Sequence, residues 1–205
     1  MWEFDENVAS RFQKEAITHI PDYERVIDTC IDIADSLKIP KTSNIVDVGS
    51  AAGHTVNRFI THGYTNTFGV ESSQKMRDKS LCKDNIILSD KFPDIQCEFV
   101  MANWTLHFIK QRKEYIQSIY DNLSGVLVLT DKTTQTNVTK MLYYKWKLDN
   151  GVDPSYILQK EKDLTGVLTT YDAGWYIDTL KRVGFPRVEI INSRFGFTTF
   201  YCEKA

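Results

Sequence analysis

No two cysteines in this 205-residue chain have the spacing of a metal or redox pair. Cys30, Cys82, Cys97 and Cys202 form no C-x-x-C, and three of the four fall within apolar patterns. Reduced core thiols in a cytoplasmic protein are therefore expected, rather than disulfides or a zinc site, and no metal is expected. A secretory signal pattern is missing, and so is any apolar run long enough to cross a bilayer, so no membrane association is expected. Charge of one sign is lacking too: 25 Lys and Arg stand against 27 Asp and Glu, a formal net charge of −2. So balanced a chain has no overall electrostatic footprint for nucleic acid, and direct nucleic-acid binding is not indicated. Internal repeats, linkers and low-complexity tracts are absent. What is left is 42% apolar and 25% charged, a globular composition long enough for one α/β domain over residues 1–205.

The dinucleotide signature G-x-G-x-x-G is absent as well. In its place, residues 44–53 read NIVDVGSAAG. Ile45, Val46 and Val48 make the apolar run of a buried strand, and Asp47 is set inside it. Gly49 and Gly53 frame a tight turn around Ser50, Ala51 and Ala52, and a helical pattern follows from His54. A strand, a glycine turn and a helix present backbone N–H groups to a nucleotide-like ligand in an open α/β sheet. Gly49 lets the backbone pass close to that ligand. A carboxylate two residues before the first glycine would repel a pyrophosphate, yet suits a ligand with a cationic amine. The stretch points to S-adenosyl-L-methionine rather than NAD, the other reading being an ordinary β–α turn with a satisfied Asp.

Around this stretch the pattern alternates. Helices are expected over 5–19 and 23–37, broken by Pro21, with Asp22 as the cap of the second. Residues 1–40 so form an N-terminal helical cap, which closes over a ligand, covers a sheet face, or does both. Strands are expected over 44–48, 67–71, 85–89, 97–103 and 126–131, with helices over 54–62 and 110–123 between them. The second strand ends in Glu71, placed to hold a ribose diol or to cap the helix that Ser72 and Ser73 open. Asp90 follows the third strand, where it can accept from an adenine amine. Asn103 and Trp104 follow the fourth. Asn103 offers donors and acceptors, and Trp104 offers either a π face to a sulfonium or core packing. His107 reads as a helix-start residue. Residues 133–168 depart from the alternation as a helical insertion, with one helix ending at Asn150 and Gly151 and another opening at Pro154. Such an insertion is suited to wall a substrate pocket or to form a homodimer contact. A helix over 171–183 ends at Gly184. Strands over 187–192 and 197–203 are joined so tightly that they must be antiparallel. The fold class is α/β: a Rossmann-like, seven-stranded, mostly parallel sheet with a terminal antiparallel hairpin, the class I methyltransferase architecture.

Several motifs carry a closer likeness: W-x-F-D-E-x-V-A at 2–9, I-P-x-Y at 20–23, D-V-G-S-A-A-G at 47–53, E-S-S-x-x-M at 71–76, N-W-T-L-H-F at 103–108 and V-G-F at 183–185. With these the chain resembles the class I S-adenosylmethionine-dependent methyltransferases and, among them, the carboxy-S-adenosylmethionine synthases of tRNA wobble-uridine modification. The resemblance implies that Asp47, Gly49 and Gly53 contact the methionine end of the cofactor, Glu71 the ribose and Asp90 the adenine side, with Tyr23 and Asn103 at the sulfonium. It also implies an arginine that binds the product carboxylate, and alignment puts Thr179 at that place, with Arg182 one turn on. Without that clamp, transfer of a methyl group to a small acceptor is the leading expectation. Tyr23, Asn103 and Asp131 are the positioning candidates. Carboxy-S-adenosyl-L-methionine synthesis and non-catalytic cofactor binding are the alternatives.

Overall fold

The computed structural model describes residues 6–204, with side chains from residue 11 onward. Residues 2–5 of the N-terminal motif, and the side chain of Val8, lie outside the described residues. The chain opens with helices α1 (Glu6–His19) and α2 (Tyr23–Ser36). Strand β1 (Ile45–Val48), helix α3 (His54–Thr61), strand β2 (Thr67–Glu71), short helix α4 (Gln74–Asp78) and strand β3 (Ile86–Leu88) follow. Next come β4 (Cys97–Asn103), α5 (Arg112–Asn122) and β5 (Leu123–Lys132). Helices α6 (Asn137–Asp149) and α7 (Pro154–Leu164) form the insertion, and α8 (Ala173–Val183), β6 (Arg187–Arg194) and β7 (Phe197–Glu203) complete the chain.

The seven strands form one sheet in the order β3-β2-β1-β4-β5-β7-β6. β1 to β5 are parallel, while β7 runs antiparallel between β5 and β6. This is the Rossmann-like class I architecture the alternation predicts. The strand order turns back between β1 and β4, and ligands of open α/β sheets bind outside the carboxyl ends of the strands at such a switch point.

Alternation along the strands fills both faces. Val46, Val48, Val100, Leu127 and Leu129 pack with Ile116 and Ile119 of α5 and Tyr176 and Leu180 of α8. Ile45, Phe99, Met101, Val126 and Val128 pack with Cys30, Ile31 and Ala34 of α2 and Phe59 of α3. Every side chain of β1 is buried, as a central parallel strand requires. Cys30, Cys97 and Cys202 are buried free thiols. Among the described residues no helix is long and apolar enough to cross a membrane.

Local chemistry corrects several expected boundaries. β5 begins at Leu123 because an irregularity in β4 lets Cys97 pair with Leu123. β3 is shorter than expected because Asn85 ends a 3-10 turn, Lys83–Asn85. α8 starts at Ala173 because the Asp172 carboxylate accepts the Trp175 N–H at 2.7 Å. Asp22 does not cap α2 with its side chain. Its φ is +58°, and its carboxylate accepts from Arg194 Nη1 at 2.7 Å, so a long-range ion pair wins over the local cap.

Candidate functional site

A cavity of about 470 Å³ opens at the carboxyl edge of the sheet, within the usual size range of small-molecule sites. β1, β2, the segment after β3 and the end of β4 supply one side; α1, the start of α2 and the insertion helices supply the other. Of the residues singled out from sequence, Tyr23, Asp47, Gly49, Ser50, Glu71, Ser72, Asp90, Asn103 and Trp104 all line it. Gly53 does not. Its N–H reaches Ser50 O at 2.8 Å with φ at +76°, so it shapes the turn rather than the wall.

The glycine turn is tightly determined. Gly49 has φ +69°, and a Cβ there would overlap the Thr105 side chain. The Gly49 and Ser50 N–H groups are spent on Val70 O, at 2.8 and 3.1 Å. The Ser50 hydroxyl lies over Gly69 and has no partner of its own.

The acids differ in their surroundings. Asp47 is buried at 4% exposure, and burial first, then the charge of Glu71, pushes its carboxyl up to about 8. Glu71 accepts the Ala51 N–H at 2.9 Å through Oε2 and the Ser73 N–H at 2.7 Å through Oε1. Its oxygens thus tie down the loop and the start of α4, and the residue also lines the cavity. Burial raises its pKa against the pull of these N–H donors.

Opposite stand aromatic and amide groups. Tyr23 stacks on Trp104 with ring centres 4.6 Å apart, and Trp104 holds φ +57°. Asn103 donates through Nδ2 to Cys30 Sγ at 3.6 Å. Among the described residues, the buried side-chain nitrogen and oxygen atoms without a partner are His19 Nδ1, Ser50 Oγ, Asn103 Oδ1 and Trp104 Nε1. All four residues line this one cavity. Buried polar atoms are almost always paired, so their concentration here marks a surface built to meet a polar ligand.

Some residues at the cavity escape sequence reasoning. His107, read as a helix-start residue, is buried on the cavity wall and bonded through Nδ1 to Asp131 Oδ1. Tyr176 donates its hydroxyl to Asp131 Oδ2, and Arg112 Nη1 donates to the Tyr176 hydroxyl at 2.8 Å. Asp131 is therefore the buried support of His107 rather than a wall residue. The second unread group is cationic: Lys132, Lys147 and Lys160 also line the cavity. Trp146, Trp175 and Tyr176 pack instead. Trp146 lies beside Tyr143, Trp175 stacks on Tyr171 at 4.0 Å, and Tyr176 sits in the core. Thr179 is also remote from the cavity, on a shallow surface depression with Lys113 and Arg182.

No family model matches the chain. It is similar over its whole length to carboxy-S-adenosyl-L-methionine synthases: 29% identical to that of Helicobacter hepaticus, covering 99% of this chain and 95% of the relative. With that of Campylobacter jejuni the identity is 26%, covering 99% and 94%. Among solved structures, the magnesium protoporphyrin IX methyltransferase of Synechocystis with bound SAH superposes with a TM-score of 0.72 at 12% identity, covering 98% of this chain and 96% of that one. A SAM-dependent methyltransferase of Thermotoga maritima, a possible histamine N-methyltransferase, gives 0.66 at 14%, covering both chains fully.

Proposed function

We propose that this chain, which has the class I methyltransferase fold and resembles carboxy-S-adenosyl-L-methionine synthases end to end, is an S-adenosyl-L-methionine-dependent transferase of one-carbon groups. One observation carries the reading. A single cavity at the switch point joins three acids, one each from β1, β2 and the segment after β3, to buried polar atoms that lack partners. The residues fit the cofactor. Gly49 keeps the loop backbone free of a Cβ, Glu71 retains lone pairs for a ribose diol, and Asp90 stands where an adenine amine would donate. Asn103 Oδ1 offers an acceptor toward the sulfonium, and the Tyr23–Trp104 stack offers its π surface.

When bound, the cofactor supplies an activated carbon on a positively charged sulfur. The protein holds the acceptor in line with that carbon and excludes water from it. Tyr23 and Asn103 do the positioning. His107, oriented by Asp131, is the wall group able to take a proton from an acceptor that must lose one.

Methyl transfer to a small acceptor is the first reading. Carboxy-S-adenosyl-L-methionine synthesis is the second, supported by the full-length similarity. The test is native mass spectrometry of freshly purified protein with the released ligand weighed, followed by calorimetric titration of S-adenosyl-L-methionine. A bound or binding S-adenosyl compound is the expected result. A ligand heavier than S-adenosyl-L-methionine by a carboxyl group selects the second reading. A protein that is empty and binds no added cofactor overturns both.

A further inference from the structure

One helix holds the tip of β4. Tyr23 and Cys30 are buried on α2, two helical turns apart on one face. Tyr23 stacks on the Trp104 ring, and Cys30 Sγ accepts from Asn103 Nδ2 at 3.6 Å. Two neighbouring residues, Asn103 and Trp104, are thus met by two residues of matching helical phase. The backbone at this tip is pinned as well. The Trp104 N–H reaches Thr130 O at 2.6 Å with φ at +57°, and Thr105 Oγ1 donates to Asn103 O at 3.1 Å. Asn103 is 6% exposed and lines the cavity; Cys30 is fully buried and does not.

A side-chain amide has two unlike ends, an acceptor oxygen and a donor nitrogen. With Nδ2 turned to Cys30, Oδ1 is the end left for the cavity, and it has no partner among the described residues. The sulfur suits its part. Burial, opposed by the Asn103 bond and reinforced by the charge of Asp47, pushes the Cys30 thiol up to about 12. It therefore stays a neutral S–H at neutral pH, with lone pairs for an N–H donor. An aliphatic side chain at position 30 would leave Nδ2 a buried donor with nothing to meet, which is unfavourable. The amide would then turn over and set its N–H groups toward the cavity, the positive end of its dipole against any cationic ligand. Asp47 lines the same cavity, and its charge acts on both Cys30 and Tyr23.

We propose that Cys30 is a positioning residue: by engaging Nδ2 it fixes the Asn103 amide with Oδ1 toward the cavity, and so makes the site prefer the cationic sulfonium of S-adenosyl-L-methionine over the neutral thioether left after transfer. This rests on the transferase reading and assigns the discrimination between charged cofactor and spent product. When the methyl group leaves, the electron pair of the broken carbon–sulfur bond stays on the sulfur, which becomes neutral. The attraction between Oδ1 and the sulfur centre then fades, and product release is eased by the same contact that favoured the cofactor.

Calorimetric titration of the full chain with S-adenosyl-L-methionine and, separately, with S-adenosylhomocysteine tests it, in the parent and in Cys30→Val and Cys30→Ser. Valine fills the site without a polar atom; serine keeps lone pairs for Nδ2. Cys30→Val is expected to lower S-adenosyl-L-methionine affinity at least about fivefold while S-adenosylhomocysteine affinity stays within about twofold. Cys30→Ser is expected to restore most of the loss. A role in packing alone would weaken both ligands together, so an unchanged ratio of the two affinities in Cys30→Val overturns the assignment. A serine variant no better than the valine one overturns it too. Cys30→Ala, which removes the sulfur without adding a branch, is read the same way should the valine variant not fold. A parent chain that binds neither compound overturns the cofactor reading, and the role of Cys30 falls with it.

Discussion

At the scale of single residues, the acids at the strand ends are set apart by what surrounds them. Glu71→Ala removes a carboxylate that accepts two loop N–H groups and offers its remaining lone pairs to the cavity. Bonds of this charged kind are worth about 1.5–3 kcal/mol, so S-adenosylhomocysteine affinity is expected to drop at least tenfold, as calorimetry would read. Unchanged affinity would remove Glu71 from the ribose. Asp47, pushed up to about 8, holds its proton at neutral pH while no ligand is bound. A ligand amine needs the ionised form, so affinity is expected to rise as pH climbs toward 8, and Asp47→Asn should flatten that profile. Stability moves the other way. The folded state keeps a proton the unfolded state has lost, so this contribution is fully present at acid pH and fades as pH rises through about 8. Asp47→Asn should therefore out-melt the parent above pH 8.

At the scale of elements, most boundaries follow from the sequence because period and punctuation agree. Asp153 and Pro154 open α7 as such a pair should, with the carboxylate accepting the Ser155 and Tyr156 N–H groups. The cofactor half of the cavity was legible for a related reason, since each acid stands at a strand end or within the strand. The other half was not. Lys132, Lys147 and Lys160 sit on three elements, and a lone lysine in an amphipathic helix looks the same whether it faces water or a cavity. His107 and Asp131 are 24 residues apart, a separation no local spacing rule connects. Nor does the sequence reveal how α6 is fastened to α1: the Tyr143 hydroxyl donates to His19 O at 2.6 Å. Tyr143→Phe keeps the ring and loses that bond. It is expected to cost about 1 kcal/mol in urea unfolding and to speed proteolysis within α1; equal rates would mean the bond does not hold the helix.

At the scale of the whole molecule, the tip of the β6–β7 hairpin touches the segment leading into the insertion, helix α6 and the joint between α1 and α2. Phe195 and Gly196 both have positive φ, as a two-residue hairpin turn demands. Gly196 O accepts from Thr133 N at 2.6 Å, and Phe195 O accepts from Gln135 Nε2 at 2.5 Å, so the turn is tied to the start of the insertion. Arg194 reaches Asp22 between α1 and α2, and the Phe195 ring neighbours Trp146 of α6. Gly196→Ala forces a Cβ into a positive-φ position 2.5 Å from Gln135 Cγ. A loss of about 1–3 kcal/mol is expected, with S-adenosylhomocysteine affinity falling alongside; a stability loss with affinity intact would separate the hairpin from the wall. The arrangement also sets an order of events during synthesis. A ribosome that has released residues 1–186 has delivered every acid of the cavity and every helix that surrounds it, but not the strand that sits beside β5 or the turn that gathers the helices. A chain cut before residue 187 is therefore expected to bind S-adenosylhomocysteine more weakly than the 205 residues together, because Phe197 of the cavity wall and the hairpin ties are missing.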